Sequence, residues 1–353
     1  MACRLTLICP SLERHHYLER SCRFWGDRDD VCVLYADGSQ SQLELLHVNA
    51  SNLRYSHRPI GYQERLLWLI DQVDTPYICV LSDDEFYLPS ALNLCVDFLD
   101  EHPDYVSCMG RAIGFSRLND KIALLQQYPR LRDRDLSDAV TLNRLETHFS
   151  SYVPSHFYAV TRTDIFRNAI KAAFAIELDV YAIFELSTEL LIVAAGRSIV
   201  LPALYWLRSH EAPPLRNTGD LALDPSKRFV HWWQNMEFER QKKTFCKHLS
   251  AASSNVVDED NVRKIFDCYV ESAYGQATVT DHSLLRRLKR TVLAPIKKPL
   301  RLLTVRGGML FNQLIRPAAQ NKAALQELRD QGVLIDEDGL AECLSSIEES
   351  WRP

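Results

Sequence analysis

No apolar run in this 353-residue chain reaches the ~18 residues that cross a bilayer, so no membrane-spanning helix is expected. The first residues, MACRLTLICPSLERHH, hold an apolar run of only about five before a proline and charges, too short for a secretory leader. None of the ten cysteines forms a C-x-x-C pair, and none stands with histidines at zinc-site spacing. Scattered thiols without a leader suggest a reducing cytoplasm. There is no internal repeat and no low-complexity tract. The net charge of −5 gives the whole molecule no nucleic-acid signature. What remains is an ordinary globular composition, 46% hydrophobic and 25% charged, long enough for one large domain or a domain with an appendage.

The first hundred residues alternate strand and helix signals. Strands are expected at Arg4–Cys9, Val31–Ala36, Leu43–Val48 and Tyr77–Ser82; these short, nearly all-apolar runs suit strands covered on both faces. Helices are expected at Glu13–Trp25, Tyr62–Val73 and Ser90–Glu101, with Pro89 in a first turn and Pro103 past an end. The alternation argues for an α/β sandwich with a mainly parallel sheet. A further strand is expected over Tyr105–Ser116, an irregular charged stretch over Arg117–Ser151, two helices within Ile165–Ala195, and a last strand over Ser198–Leu207 after Gly196. From about Phe229 onward the pattern is helical, which places a boundary near Asp220.

The strand CVLS runs directly into Asp83, Asp84 and Glu85. Ligands of parallel α/β sheets bind beyond the carboxyl ends of the strands. Three adjacent carboxylates repel one another and are costly to bury, and a hard divalent cation bound through oxygen relieves that cost while bridging to phosphates. A solvated acidic turn at the next helix N-terminus is the other reading. Asp37-Gly38-Ser39 after the second strand is a turn on its own, but a second acid on the same sheet edge makes a coherent site. The first strand ends in Pro10, Ser11 and Arg14.

In the order LTLICPSLERHHYLER, VLYADGS, DTPYICVLSDDEFYLPSAL, the chain resembles the family 2 type of nucleotide-sugar glycosyltransferases, which have the GT-A fold. In that family the first strand ends in a P-T-x-N-R type loop. The second ends in an Asp near the nucleotide base, and a later strand ends in an Asp-x-Asp or Asp-Asp metal motif followed by P-x-x-L. The resemblance covers about residues 4–210. It implies donor contacts at Pro10, Ser11, Arg14, Asp37, Ser39 and Asp83. Counted back from Pro89, it puts the principal metal-binding position at Asp84, with Glu85 beside it, for Mn or Mg. Glu13 stands where the family has Asn, and Glu85 where it has Asp.

Inverting members use a carboxylate in an E-D pair about eleven residues before a glycine that precedes a strand. Counting back eleven from Gly196 reaches Glu185, in a Phe184-Glu185 pair, as the expected general base, with Glu189 and Asp179 as rivals. An exposed i,i+4 pair is the plain reading of Glu185 and Glu189. In YWLRSHE, Arg208 would serve the diphosphate and His210 the metal. His156 or Tyr158 would line the acceptor pocket, and Arg65 either reaches the nucleotide or is a surface helix arginine.

Ser283–Pro317 contains nine Lys or Arg and no acid, interleaved with aliphatic residues. Such a stretch suits an anionic membrane surface, or it packs as an arm on the catalytic domain. Two regions are therefore expected, a GT-A-like catalytic domain over residues 1–220 and a helical region over 221–353 with the basic arm at 283–317. The reading is a metal-dependent glycosyltransferase acting on a glycan or lipid-linked acceptor, as in polysaccharide biosynthesis, cytoplasmic or peripheral on the inner face of the membrane, with no nucleic-acid partner. The competitors are a non-catalytic protein of the same fold and a sugar nucleotidyltransferase; the latter needs a Gly-rich loop after the first strand, and CPSLERHH has no glycine.

Overall fold

A computed structural model describes residues 3–44, 50–118, 120–211, 228–280 and 317–351. Within them the strands are β1 (Leu5–Ser11), β2 (Val31–Asp37), β3 (Leu53–His57), β4 (Tyr77–Val80), β5 (Phe86–Tyr87), β6 (Tyr105–Leu118), β7 (Lys121–Gln126), β8 (Asp135–Leu136), β9 (Val160–Arg162) and β10 (Arg197–Ser209). The helices are α1 (His15–Trp25), α2 (Tyr62–Asp71), α3 (Pro89–Glu101), α4 (Thr141–Ser150), α5 (Thr163–Phe174), α6 (Ile183–Ala195), α7 (Phe229–Gln234), α8 (Glu239–Ala252), α9 (Glu259–Thr280), α10 (Pro317–Asp330) and α11 (Glu337–Glu349).

All ten strands join one sheet in the order β3-β2-β1-β4-β9-β6-β10-β5, with β7 beside β6 and β8 beside β10. The β3-β2-β1-β4 half is parallel, as is the β6–β10 pair. Between them β9 runs antiparallel to both β4 and β6, so β6 and β10 run the same way as β1, β2 and β4. The carboxyl ends of β1, β2, β4 and β10 therefore lie along one edge. Because α6 leads through Gly196 straight into β10, it runs the opposite way and brings its first turn to that edge.

Two apolar cores sandwich the sheet, which meets the expected α/β class. One packs α1 and α3 on one face and includes Leu328, Leu340, Cys343 and Ile347 of α10 and α11. The other packs α2, α5 and α6 on the opposite face with Trp232, Phe245, Val262 and Phe266 of α7 to α9. The helices after the expected boundary thus share cores with the sheet; the boundary itself and the basic arm through Arg316 lie outside the described residues.

The sequence expectations differ from the structure in two places. Of the strand expected at Leu43–Val48, residues 45–49 lie outside the described residues, and the edge strand is Leu53–His57, whose polar, half-covered side chains carry no apolar run. The stretch Arg117–Ser151 is not irregular; it forms β7, a 3-10 turn at Pro129–Asp133, β8 and α4. Its charges hid buried Leu124, Leu131, Leu145 and Phe149.

Residues 317–351 strap the far side of the sheet. Asn321 uses its amide as a strand would, accepting from Leu124 N (2.8 Å) and donating to Ile122 O (3.0 Å), while Gln320 donates to Leu124 O (3.0 Å). Leu334 then bonds Pro202 O and Leu204 N, both at 2.8 Å, where β10 bulges away from β6. At this bulge Gly110 of β6 meets β10 so closely that a Cβ would stand 2.3 Å from Ala203 O. Gly110→Ala is expected to cost about 3 kcal/mol, since backbone and not a flexible side chain must yield. Thermal denaturation checks this; an unchanged Tm would mean that the β6–β10 contact is looser than described.

Candidate active site

Four strand ends and one helix start build the site. After β1 the chain turns sharply. Glu13 has φ of 53°, a left-handed conformation that asparagine tolerates and glutamate does not favour. Local bonds hold it there: Glu13 N donates to Ser39 Oγ (2.7 Å), and Glu13 Oε1 accepts from Gln40 N (2.7 Å). The turn starts α1 at Arg14, whose guanidinium reaches back to the end of β4.

That guanidinium bridges the acids. Arg14 Nη1 lies 3.0 Å from Asp83 Oδ1, and Nη2 donates to Asp84 Oδ2 at 2.5 Å. Ser11 Oγ also donates to Asp83 Oδ2 at 2.6 Å. Burial, opposed by Arg14 and reinforced by Asp84, pushes Asp83 up to about 6. Ser11, Arg14, Asp83 and Asp84 are thus in one cluster.

Glu85 faces another way. Its carboxylate accepts from Trp206 Nε1 at 2.8 Å, and Arg208 Nε stands 3.8 Å away. Burial first, then the charge of Asp84, pushes it up to about 8, so it holds its proton at neutral pH. Arg208 lies over the rings of Tyr128 (5.0 Å) and Trp206 (5.3 Å). His210 is exposed; its Nε2 is 3.1 Å from Gln127 Oε1, and burial and Arg208 lower its pKa against the pull of Asp84.

Among the described residues Asp84, Glu85 and His210 do not bring three ligand atoms within 4.8 Å of one another, so any cation at Asp84 would rest mainly on that carboxylate. Arg14 bonds Asp84 Oδ2, no bond to Asp84 Oδ1 is seen among the described residues, and the charge of Asp84 acts on the His210 imidazole. Arg14 supplies the counter-charge in the structure described, so a cation and Arg14 would share the two acids.

The second acid, Asp37, is fully buried. Oδ1 accepts from Ser39 N (2.9 Å) and Oγ (2.5 Å), while Oδ2 accepts from Tyr55 Oη (2.8 Å) and faces His15 Nε2 (3.1 Å). Burial opposes its charge, but the Ser39 and Tyr55 bonds outweigh that and lower its pKa. Asp37 and Ser39 therefore hold the loops after β1 and β2 together. Arg65 is buried, not a surface residue. It fits because Gly38 has no side chain; a Cβ there would stand 2.0 Å from Arg65 Nη1.

Across the same edge, Glu185 occupies the first turn of α6. Tyr152 Oη donates to Glu185 Oε1 at 2.7 Å. Burial, opposed by this bond and reinforced by Glu189, pushes Glu185 up to about 7. The helix begins at Ala182, whose φ of 70° is strained for a residue with a Cβ.

Glu189 is not the exposed i,i+4 partner of the plain reading. It is fully buried and accepts from His156 N (3.1 Å) and Phe157 N (2.9 Å). His156 is also buried and bonds Ser107 Oγ through Nδ1 (3.1 Å), so it does not line a pocket. Tyr158 is half-buried and stacks on Trp206 at 4.8 Å. Asp179 is exposed in the loop before α6.

Sequence reading missed His148 and Arg134. With His156 and Glu189, His148 brings ligand-type atoms within 4.8 Å of one another. Arg134 Nη1, however, donates to His148 Nδ1 at 2.6 Å, which assigns the ring proton to Nε2, 3.0 Å from Glu189 Oε2. A cation there would displace that proton beside a buried guanidinium. Burial lowers both histidines, His156 to about 3. The group works as a neutral-histidine brace that fixes α6 against α4. No spacing signal announces it, since its members come from four separate segments.

No protein-family model matches the chain, and no curated protein matches its sequence. Several solved structures are similar in outline. The S. aureus protein TarS 1-349 is 14% identical over 78% of this chain and 92% of its own, with a TM-score of 0.46. The same protein in complex with UDP-GlcNAc is 15% identical, with a TM-score of 0.47 and the same coverage. The mannosyltransferase PcManGT of Pyrobaculum calidifontis, in complex with GDP-Man and Mn2+, is 15% identical over 94% of this chain and 86% of its own, with a TM-score of 0.43. At these values none of them assigns a function or a residue to this chain.

Proposed function

We propose that this protein is a metal-dependent glycosyltransferase, moving a sugar from a nucleotide-diphospho-sugar to a hydroxyl acceptor with inversion, and with Glu185 as general base. One observation carries the reading. The carboxyl edge of the sheet gathers the Asp83–Asp84 pair, Arg14 and Arg208 at strand ends, and a half-buried carboxylate with a raised pKa at a helix start on that edge.

The residues divide the work. Arg14 and Arg208 offset the negative charge that grows on the departing nucleoside diphosphate. A divalent cation held by Asp84 and His210 would add Lewis-acid stabilisation of the same charge. Tyr152 points the Glu185 carboxylate, which accepts the acceptor's hydroxyl proton. The acceptor oxygen then bonds to the anomeric carbon as the bond to the phosphate oxygen breaks, through an oxocarbenium-like transition state. Glu85, holding its own proton and bonded to Trp206, braces β5 against β10. The basic stretch 283–317 lies outside the described residues up to Arg316; a lipid-linked acceptor is the case in which a membrane contact there would serve transfer.

Two measurements test this. Melting in the presence of UDP, GDP, CDP or dTDP, each with and without Mn, is expected to show stabilisation by one nucleotide that is larger with Mn. Stabilisation by none would favour a non-catalytic protein of the same fold. The pH profile of kcat/KM is the second. A base must be ionised, so activity is expected to rise about tenfold per unit below pH ~7 and level off above it, following the raised pKa of Glu185. A profile flat from about pH 5 to 8 would remove Glu185 from the role.

A further inference from the structure

We infer that the end of the C-terminal strap, Ser350 and Trp351, is a working part of the donor site: it positions the Asp83–Glu85 turn through Arg20 and Glu211, so that strap docking and nucleoside-diphosphate binding are linked. The inference rests on the reading above. Arg20 lies in the middle of α1 with only 4% of its surface exposed. Among the described residues it makes no hydrogen bond or ion pair with the Asp83, Asp84 or Glu85 side chains, and acts on Asp83 through its charge alone. Its Nη2 instead donates to the carbonyl of Asp84 at 3.0 Å and lies 2.9 Å from Glu211 Oε2. Its Nη1 donates to Ser350 Oγ at 3.2 Å, and the guanidinium lies over the rings of Tyr17 (4.9 Å) and Phe86 (5.1 Å). Trp351 Nε1 donates to the other oxygen of Glu211 at 2.5 Å, and Arg117 covers the Trp351 ring at 5.0 Å.

One buried guanidinium therefore ties four elements: α1, the acid turn after β4, the chain just past β10, and the strap. Each tie has a consequence for the site. The bond to the Asp84 carbonyl sets the orientation of the turn that aims both aspartates. The Glu211 pair fixes the chain directly after His210 and close to Arg208. A buried arginine needs its carboxylate partner, and Glu211 is held in place by the strap's indole. Without Trp351, Glu211 loses its only indole donor among the described residues, and Arg20 has a freer partner. A merely stabilising strap would need no such reach. Leu328, Leu340, Cys343 and Ile347 already anchor it in the core, the last of them one helical turn before Ser350. The linkage is reciprocal: whatever affinity the docked strap adds for the nucleotide, bound nucleotide returns as strap docking.

The test uses the full chain with UDP and GDP, each with Mn, by titration calorimetry well below the melting temperature. Trp351→Phe keeps the ring under Arg117 and removes the N–H; a second variant lacks residues 351–353. Arg28→Ala, which breaks the rim pair between the turn after α1 and Glu342 in α11, is the control for loosening the strap elsewhere. Both Trp351 variants are expected to bind the nucleotide about tenfold more weakly, the loss of one hydrogen bond to a charged group, while Arg28→Ala binds as wild type. Hydrogen exchange over residues 340–351 is expected to slow when nucleotide is added to wild type and not in Trp351→Phe. Wild-type affinity in both Trp351 variants, or equal weakening in Arg28→Ala, would overturn the linkage alone. Absence of nucleotide binding in wild type would instead sink the donor reading, and the linkage with it.

Discussion

Glu185→Gln is expected to reduce transfer by about 10²–10⁴-fold, the share general-base catalysis supplies, while nucleotide affinity stays at the wild-type value. The amide keeps the shape and still accepts the bond from Tyr152, so what is lost is the capacity to take a proton. Stability separates this from damage. Burial raises the folded pKa of Glu185, so its contribution is fully present below the ordinary carboxylate range and is lost as pH rises through about 7. The glutamine variant should therefore melt no lower than wild type at pH ~8, where wild type buries a charge and the variant does not. Unchanged transfer would pass the role to Asp179, because Glu189 is locked in bonds to His156 and Phe157 and cannot reach a substrate.

Asp84→Asn carries the second large effect. It removes one of the two carboxylate charges on the Arg14 guanidinium, and with it the anionic oxygen that would hold a cation. The Mn-dependent part of the nucleotide's stabilisation is expected to vanish, and transfer to fall with it. Melting curves with nucleotide, with and without Mn, read this directly, since stabilisation follows occupancy of the folded state. A variant stabilised as well as wild type, and indifferent to Mn, would show that Arg14 alone supplies the counter-charge.

The sheet was legible because its central strands are continuous apolar runs, and because Asp37 and Asp83 stand where those runs stop. Glu185 was reached only through the family resemblance, by its distance from Gly196, and not by local pattern. Nor did local pattern reach β3, whose polar side chains lie at a sheet edge, or α4, whose arginine and histidine are buried through partners distant in the chain. The Glu13 position shows why. Glutamate does not favour a left-handed turn, yet Glu13 takes one, held there by bonds to Ser39 and Gln40. Burial of Asp37, Glu189 and His156 was equally invisible, because a charged letter carries no mark of the bonds that will cover it.

Asn321 and Gln320 bear on the order in which the molecule is made. They close the outer edge of β7, which before their arrival would present open amides and carbonyls of a paired strand. Synthesis runs from β7 to the strap through almost two hundred residues, so the nascent sheet waits, edge open, for a helix made long after it. Open edges recruit other strands. Chains stopped before residue 317 should accordingly be recovered as aggregates, even though every strand and every proposed catalytic group is already in them.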